Sequence, residues 1–345
     1  MKLLVVTQTV DRNDPILGFF HHWLEELAKR FESIEVICLA EGEHQLPDNV
    51  RVYSLGKEHG RQNRLVYAYR FKKLIWKLRG NYNTVLVHMN PEYLILGGLF
   101  WRLFGKYATL WYNHAQRDMR FKCAALLARK VFYTSPYAAP AGRRDAVRMP
   151  VGIDTELFVL RPVSKIRSSL YIQGRIMPSK RIHVALGALR LLREGGSAVT
   201  LTIVGPEIDA AYGAKLRKEF NDLIEAGAVT FLGPRRNEET PNLYSAHGIA
   251  LNLAPAGCFD KSAFEPMACE TPVILSSKAF EGLVPREWIV QEDDAQSLAA
   301  AIKNMLELSG EQFVALGRAE RDIVVHDHSL HALMDRLVIE LHHAV

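Results

Sequence analysis

Short runs of Val, Leu and Ile alternate with segments of helical spacing, and the alternation is played out twice along the chain. Strands separated by helices pair in parallel, because a parallel pair needs a crossover long enough to hold a helix. In the first series, strands are predicted at Lys2 to Thr7, Ile34 to Leu39, Val50 to Leu55, Thr84 to His88, Ala108 to Tyr112 and Val131 to Thr134. Phe20, Trp23, Leu24, Leu27 and Phe31 fall on one side of a helix over 19–31, and a longer helix is predicted over 65–78. The second series predicts strands at 169–173, 199–204, 229–232, 249–253 and 273–275, with helices at 183–193, 214–225, 241–245 and 295–306 and one running through Met267. Past residue 310 two more helical stretches follow.

At 345 residues the chain has room for two domains, each with its own core. The join is placed near 152–168, where Pro162, Ser164 and Ser168 flank charged residues. The expected division is an N-terminal Rossmann-like domain over 1–160, a C-terminal Rossmann-like domain over 161–325, and a terminal helix over 326–345 that packs back on the first domain. The longest aliphatic-aromatic run, Tyr93 to Trp101, falls short of the ~20 residues that span a bilayer. Gln8 and Asp11 cut short the apolar opening, so no signal peptide is expected. Cys38, Cys123, Cys258 and Cys269 are scattered without zinc-type spacing, which suits a reduced, cytoplasmic setting.

Residues 1–160 hold 23 Lys+Arg against 15 Asp+Glu, a net +8, while the remainder carries −3. Arg70, Lys72, Lys73, Lys77 and Arg79 sit among Tyr69, Phe71, Leu74, Ile75 and Trp76. That mix reads first as a solvated helix with a buried stripe, and second as a basic amphipathic helix at the periphery of a membrane. No nucleic-acid module is present, and none is expected as a partner. His326, His328, His331, His342 and His343 form no closed metal-ligand set and are expected on exposed helix faces.

In open parallel sheets, ligands sit beyond the carboxyl ends of the strands. Three loops fall there. Gln8 to Gly18 has one glycine, Gly18, where a dinucleotide fingerprint would need three, so NAD and FAD are poorly supported. A tight turn or a close approach of phosphate both explain it. Gly174 to Arg181, GRIMPSKR, sets Arg175, Lys180 and Arg181 at a strand end, and fixed cations there suit a diphosphate. The third, AGCFDKSAFEPMACETP at 256–272, starts a helix near Ser262 or Ala263, with Pro266 in its first turn and Glu265 at its start. A carboxylate there accepts both hydroxyls of a ribose, while Ser262-x-x-Glu265 also spells a capping box that needs no ligand.

Together these loops resemble the retaining group 1 glycosyltransferases (family 4) of the two-domain GT-B fold, in which two Rossmann-like domains face each other across a cleft. PVGIDTELF at 150–158 is similar to that family's domain-junction signature. GRIMPSKR is similar to its G-R-x-x-x-x-K loop, IVGPE at 203–207 and VTFLGP at 229–234 to its next strand ends, and FEPMACETPVI at 264–274 to its E-A-M-A-C-G-x-P-V-I segment. The resemblance implies that Arg175 and Lys180 grip the donor diphosphate and that Glu265 binds the ribose. It implies that the backbone at Leu232 and Gly233 recognises the base. Gly18 would lie near phosphate and acceptor, and His114, in LWYNH, beside the transferred sugar. Gly174, Gly205, Asp260, Ala263 and Phe264 complete the implied donor set. Two positions depart from the pattern. Gly257 stands where the first glutamate of E-x7-E would fall, with Asp260 near enough to substitute, and Glu270 replaces the usual glycine.

The reading is therefore a metal-independent transferase of the hexosyltransferase type. It takes a nucleoside-diphosphate sugar as co-substrate and a glycan or lipid-linked glycan as acceptor. No D-x-D motif offers a metal site, so Arg175, Lys180 and helix amides are expected to stabilise the leaving diphosphate. A GT-B epimerase and a non-catalytic scaffold are the competing readings. The first lacks a cluster of acid-base residues, and the second is favoured by Gly257.

Overall fold

The computed structural model describes residues 1–14 and 17–342. Contacts divide the chain into two compact units, Met1–Pro150 together with the chain from His331, and Val151–Leu330. Among the described residues the first unit holds seven parallel strands: β1 (Lys2–Val10), β2 (Ser33–Glu41), β3 (Val50–Ser54), β4 (Thr84–His88), β5 (Tyr107–Trp111), β6 (Lys130–Tyr133) and β7 (Ala146–Arg148). Their order is β3-β2-β1-β4-β5-β6-β7. Leu3 to Val6 in β1 are fully buried, because a central parallel strand is covered on both faces and needs apolar side chains throughout.

The second unit holds β8 (Ile166–Gln173), β9 (Thr200–Val204), β10 (Val229–Gly233), β11 (His247–Asn252) and β12 (Val273–Leu275), ordered β10-β9-β8-β11-β12 and again parallel. In each sheet the strand order turns back at one place, between β1 and β4 and between β8 and β11. The loops leaving those two strands part there in opposite directions, which opens a crevice.

Two helices of the first unit escaped the sequence pattern. Pro91–Leu103 carries Gly97 and Gly98 mid-helix, a poor helix signal on propensity alone. Both are required by packing: a Cβ on Gly97 would lie 2.9 Å from the Trp101 ring, and one on Gly98 2.8 Å from Leu127 of the helix Met119–Leu127. β7, three residues long, was too short to register. In the second unit the helix expected over 214–225 is two, Ala210–Glu219 and Asn221–Glu225. The break falls at Phe220, which leaves helical geometry, buries its ring and lies under the Arg190 guanidinium.

The helix Leu330–His342 belongs to the first unit. It buries Leu333, Met334, Leu337 and Leu341, and its Asp335 and Glu340 pair with Arg30 and Lys130. His328 does not lie on an exposed face. It is buried, with its ring against Phe259 and Phe264. His326, His331 and His342 are exposed, and His343 lies outside the described residues.

Glu270 takes the glycine-like backbone that the departure from the family pattern put in question. Its φ is +54°, so the turn before Pro272 keeps its shape with a side chain in the left-handed region. Such a conformation costs an L-residue ~1–2 kcal/mol, part of which glycine returns through the entropy of the unfolded chain. Glu270→Gly is expected to raise stability by about 0.5 kcal/mol in urea unfolding, and Glu270→Ala to give no gain.

Candidate functional site

The carboxyl edge of the second sheet is built from backbone. The Gly174 amide donates to the Val204 carbonyl (2.9 Å), the Gly205 amide to the Gly233 carbonyl (3.0 Å), and the Ile176 amide to the Pro206 carbonyl (2.9 Å). The sheet ladder thus runs past the ends of β8 and β9. Gly205 adopts φ +142°, and a Cβ there would sit 2.0 Å from the Gly174 carbonyl oxygen. Only glycine fits. At Gly233, with φ +69°, β10 shifts register and ends, and Leu232 beside it packs partly buried against the core.

The basic loop leaves this edge. Arg175 is exposed and has no partner among the described residues. Lys180 is largely enclosed and pairs with the Asp260 carboxylate, which comes from the loop after β11. Arg181 serves the loop itself. Its guanidinium donates to the Leu253 carbonyl (3.2 Å) and to Asp293 (2.8 Å) and pairs with Glu292, at a left-handed backbone with φ +48°. The three cations therefore have different duties: Arg181 fastens the loop, Lys180 bridges the crevice, and Arg175 is open to solvent.

The helix facing the crevice runs Lys261–Ala268, one to two residues earlier than its sequence suggested. Its N-cap is Asp260, so Ser262 is already inside the first turn and the Ser262–Glu265 capping box does not form. Ser262 Oγ instead accepts from Asn252 Nδ2 (3.0 Å). Pro266 consequently falls in the second turn, where it withholds an amide from the helix. A capping box does form at Ser309–Gln312, where the serine precedes the helix with extended backbone.

Asp260 differs from the other aspartates that begin helices. Asp118, Asp209 and Asp294 each turn their carboxylate onto an amide of their own first turn. The Asp260 carboxylate goes to Lys180, and only its carbonyl meets the Ala263 amide (3.1 Å). The first-turn N–H groups are thus left without a side-chain cap, the arrangement that receives an anion.

Glu265 lies one turn into this helix, almost fully buried. Its Oε2 accepts from the Tyr244 hydroxyl (2.9 Å), and Tyr244 is itself completely buried. Burial pushes the Glu265 carboxyl above the usual range, opposed by the Tyr244 hydrogen bond and the nearby Lys261 charge. Burial likewise pushes Lys261 down to about 8, against the pull of Glu265 and Asp154. Lys261 Nζ donates to the Gly152 carbonyl (2.6 Å). That contact ties the helix to the segment at 150–158, where Gly152 has φ +76°, Asp154 Oδ1 takes the amides of Glu156 and Leu157, and Phe158 enters the core. Ala263 and Phe264 are fully buried, and Phe264 packs on Phe259, Phe280 and His328. Any contact of theirs with a ligand runs through the backbone. Gly257, with φ +89°, supports the loop without a side chain to offer. Tyr244 is the site residue that sequence reading missed, since no local motif marks a tyrosine 21 positions from its partner.

In the first unit Gly18 precedes the helix Phe19–Ala28. A Cβ on it would meet the carbonyls of Asp14 (2.7 Å) and Arg12 (2.9 Å), and its amide already donates to Asp14 (2.9 Å). His114 lies in the loop after β5, exposed, its ring edge-on to Tyr112 at 5.3 Å. Among the described residues no group of three or more His, Cys, Asp or Glu is placed to hold a metal ion.

A sheet order that turns back at β8 and β11, with cations on one side and an uncapped helix on the other, defines a unit of the Rossmann type. Residues 167–308 match the family model described as "Glycosyl transferases group 1", and the chain has the fold of the GT-B glycosyltransferases. The fold is shared with Anabaena HepE, solved in complex with UDP (TM-score 0.80, 18% identity, 99% of this chain and 100% of that one). It is also shared with sucrose-phosphate synthase from Thermosynechococcus elongatus (TM-score 0.77, 19% identity, all of both chains) and with WaaG, a glycosyltransferase involved in lipopolysaccharide biosynthesis (TM-score 0.69, 13% identity, 98% and 99%). Comparison with curated protein sequences gives no match.

The environment of Glu265 makes a pH-dependent prediction. The unfolded carboxyl ionises near 4.5, and the folded one holds its proton to higher pH. Glu265 therefore favours the fold most below 4.5, and costs stability as pH rises through its raised native value. Tyr244→Phe removes the one hydroxyl that eases the ionised form. The variant should lose about 2 kcal/mol at pH 8 and little at pH 4.5 in urea unfolding. An equal loss at both pH values would show that the hydroxyl does not act on the carboxylate.

Proposed function

We propose that this protein moves a sugar from a UDP-sugar to a hydroxyl of a glycan or lipid-linked glycan, retaining anomeric configuration and using no metal ion. The observation that carries the proposal is the arrangement at β8 and β11, where Lys180 pairs with Asp260 at an uncapped helix start, Glu265 follows within one turn, and Arg175 stands exposed just past the end of β8. All of it falls inside the segment that matches the group 1 family. The choice of uridine rests on structures with this fold that hold UDP and UDP-glucose.

In this reading the diphosphate takes Lys180 from Asp260 and draws in Arg175, and the first-turn amides share its charge. The freed Asp260 carboxylate accepts hydroxyls of the donor sugar, the duty that Gly257 cannot perform. Glu265, held by Tyr244, accepts the ribose hydroxyls, and the backbone at Leu232 and Gly233 meets the base. As the glycosidic bond breaks, negative charge grows on the leaving phosphate, where fixed cations stabilise it more than they stabilise the ground state. Attack comes from the same face, with the leaving phosphate taking the acceptor proton. His114 positions the sugar, as the family resemblance implies, and the reaction takes place on the cytoplasmic side.

Thermal shift with UDP, GDP, ADP and CMP tests this directly. UDP at a hundred times its Kd should add ~2.7 kcal/mol of stability, unchanged by EDTA. Arg175→Ala and Lys180→Ala should each lose most of that shift. His114→Ala should keep the UDP shift and lower kcat for donor turnover by about tenfold or more. Loss of the shift with EDTA would overturn metal independence. No response to any nucleotide would favour the non-catalytic scaffold that Gly257 suggests.

A further inference from the structure

The helix Arg64–Lys77 carries two apolar stripes. Phe71 and Ile75, followed by Leu78, are buried in the core of the first unit. Leu65, Tyr69 and Trp76 recur at spacings of four and seven, which places them on one line of a helix, with Lys72 between them. All three are more than half exposed. The neighbouring helix Pro91–Leu103 repeats the pattern: Ile95, Leu99 and Leu103 follow each other at every fourth position, and Leu99 and Leu103 are more than half exposed. Aromatic contacts join the two helices, since Trp76 meets the rings of Phe100 and Phe104 at 5.9 and 5.8 Å and Arg79 stacks on Trp76. The result is one apolar surface, and the helices beneath it are fixed by their other faces.

The charge around this surface is one-sided. From His59 to Arg117 the chain holds ten Lys+Arg and a single acid, Glu92, which is paired with Arg120. Lys72, Lys73, Lys77, Arg79 and Arg102 are all exposed. Apolar side chains ringed by cations match the boundary of an anionic bilayer, where the rings and aliphatic groups enter the headgroup region and the cations meet lipid phosphates. A protein partner would need a strongly acidic face of the same extent. Among the described residues no helix is long and apolar enough to cross a membrane.

We propose that the outward faces of Arg64–Lys77 and Pro91–Leu103 dock the protein on an anionic membrane surface. Co-sedimentation of the intact protein with vesicles of phosphatidylcholine, with and without phosphatidylglycerol, tests it. Binding is expected only with phosphatidylglycerol and should fall as salt rises. Lys72→Glu with Lys73→Glu and Lys77→Glu should weaken partitioning about a hundredfold, at roughly fivefold per cation removed. Trp76→Ser with Leu99→Ser and Leu103→Ser should also abolish it, by removing the inserted groups. The stabilisation by UDP, read in the same variants, should stay unchanged, so loss of membrane docking and loss of donor binding are seen separately. Equal sedimentation with neutral and anionic vesicles would overturn the proposal. So would self-association that the Trp76, Leu99 and Leu103 substitutions abolish while no vesicle binds, because the surface would then be an interface between copies.

Discussion

Everything at the candidate site hangs from the contact between Gly205 and the Gly174 carbonyl. The two backbones approach so closely that a single methyl group could not enter. This approach carries the hydrogen-bonded edge past the ends of β8 and β9 and starts the basic loop from a fixed point. From there Arg181 pins the loop to the end of β11 and to Glu292 and Asp293. The position of Lys180 is therefore set by backbone and by a second arginine, with no need for a ligand to order it.

Opposite charges are stored at the site in pairs. Lys180 holds Asp260, and Glu265 faces both Tyr244 and Lys261. Charges taken from water must be compensated, and pairing achieves that until a ligand arrives. In the proposed reaction an incoming diphosphate would meet cations and helix amides already in place, so little reorganisation would be needed when charge moves. Asp260 gives up a local helix cap for its ion pair with Lys180, whereas the aspartates at 118, 209 and 294 keep theirs.

The first unit answers to a different constraint. Its sheet is covered and its core is closed, yet two of its helices turn further apolar side chains outward. Burying a second stripe within the unit would require another layer of structure. Leaving it in water wastes the hydrophobic free energy of several large side chains, each worth ~1.5–3 kcal/mol when fully buried. A surface of this kind asks for a partner outside the fold, and the surrounding cations define its sign.

The alternation of apolar runs with helical periods was enough to determine two parallel sheets. Period and burial are linked physically: a strand covered on both faces must be apolar throughout, as Leu3 to Val6 are. Sequence also located GRIMPSKR and Glu265, since a basic loop or a carboxylate at a strand end stands out in one dimension. It could not show the division of labour among Arg175, Lys180 and Arg181, because the partners of Lys180 and Arg181 lie about 70 to 110 positions away. It left Ser262 and Glu265 open between a ribose site and a capping box, and the fold removes the second, because Asp260 begins the helix and gives its carboxylate to Lys180. It passed over the helix Pro91–Leu103, because Gly97 and Gly98 oppose a helix locally and are demanded by Trp101 and Leu127. Local periodicity decided the elements, whereas close packing and charge pairing between distant residues decided what each side chain does, and such contacts exist only once the chain has folded.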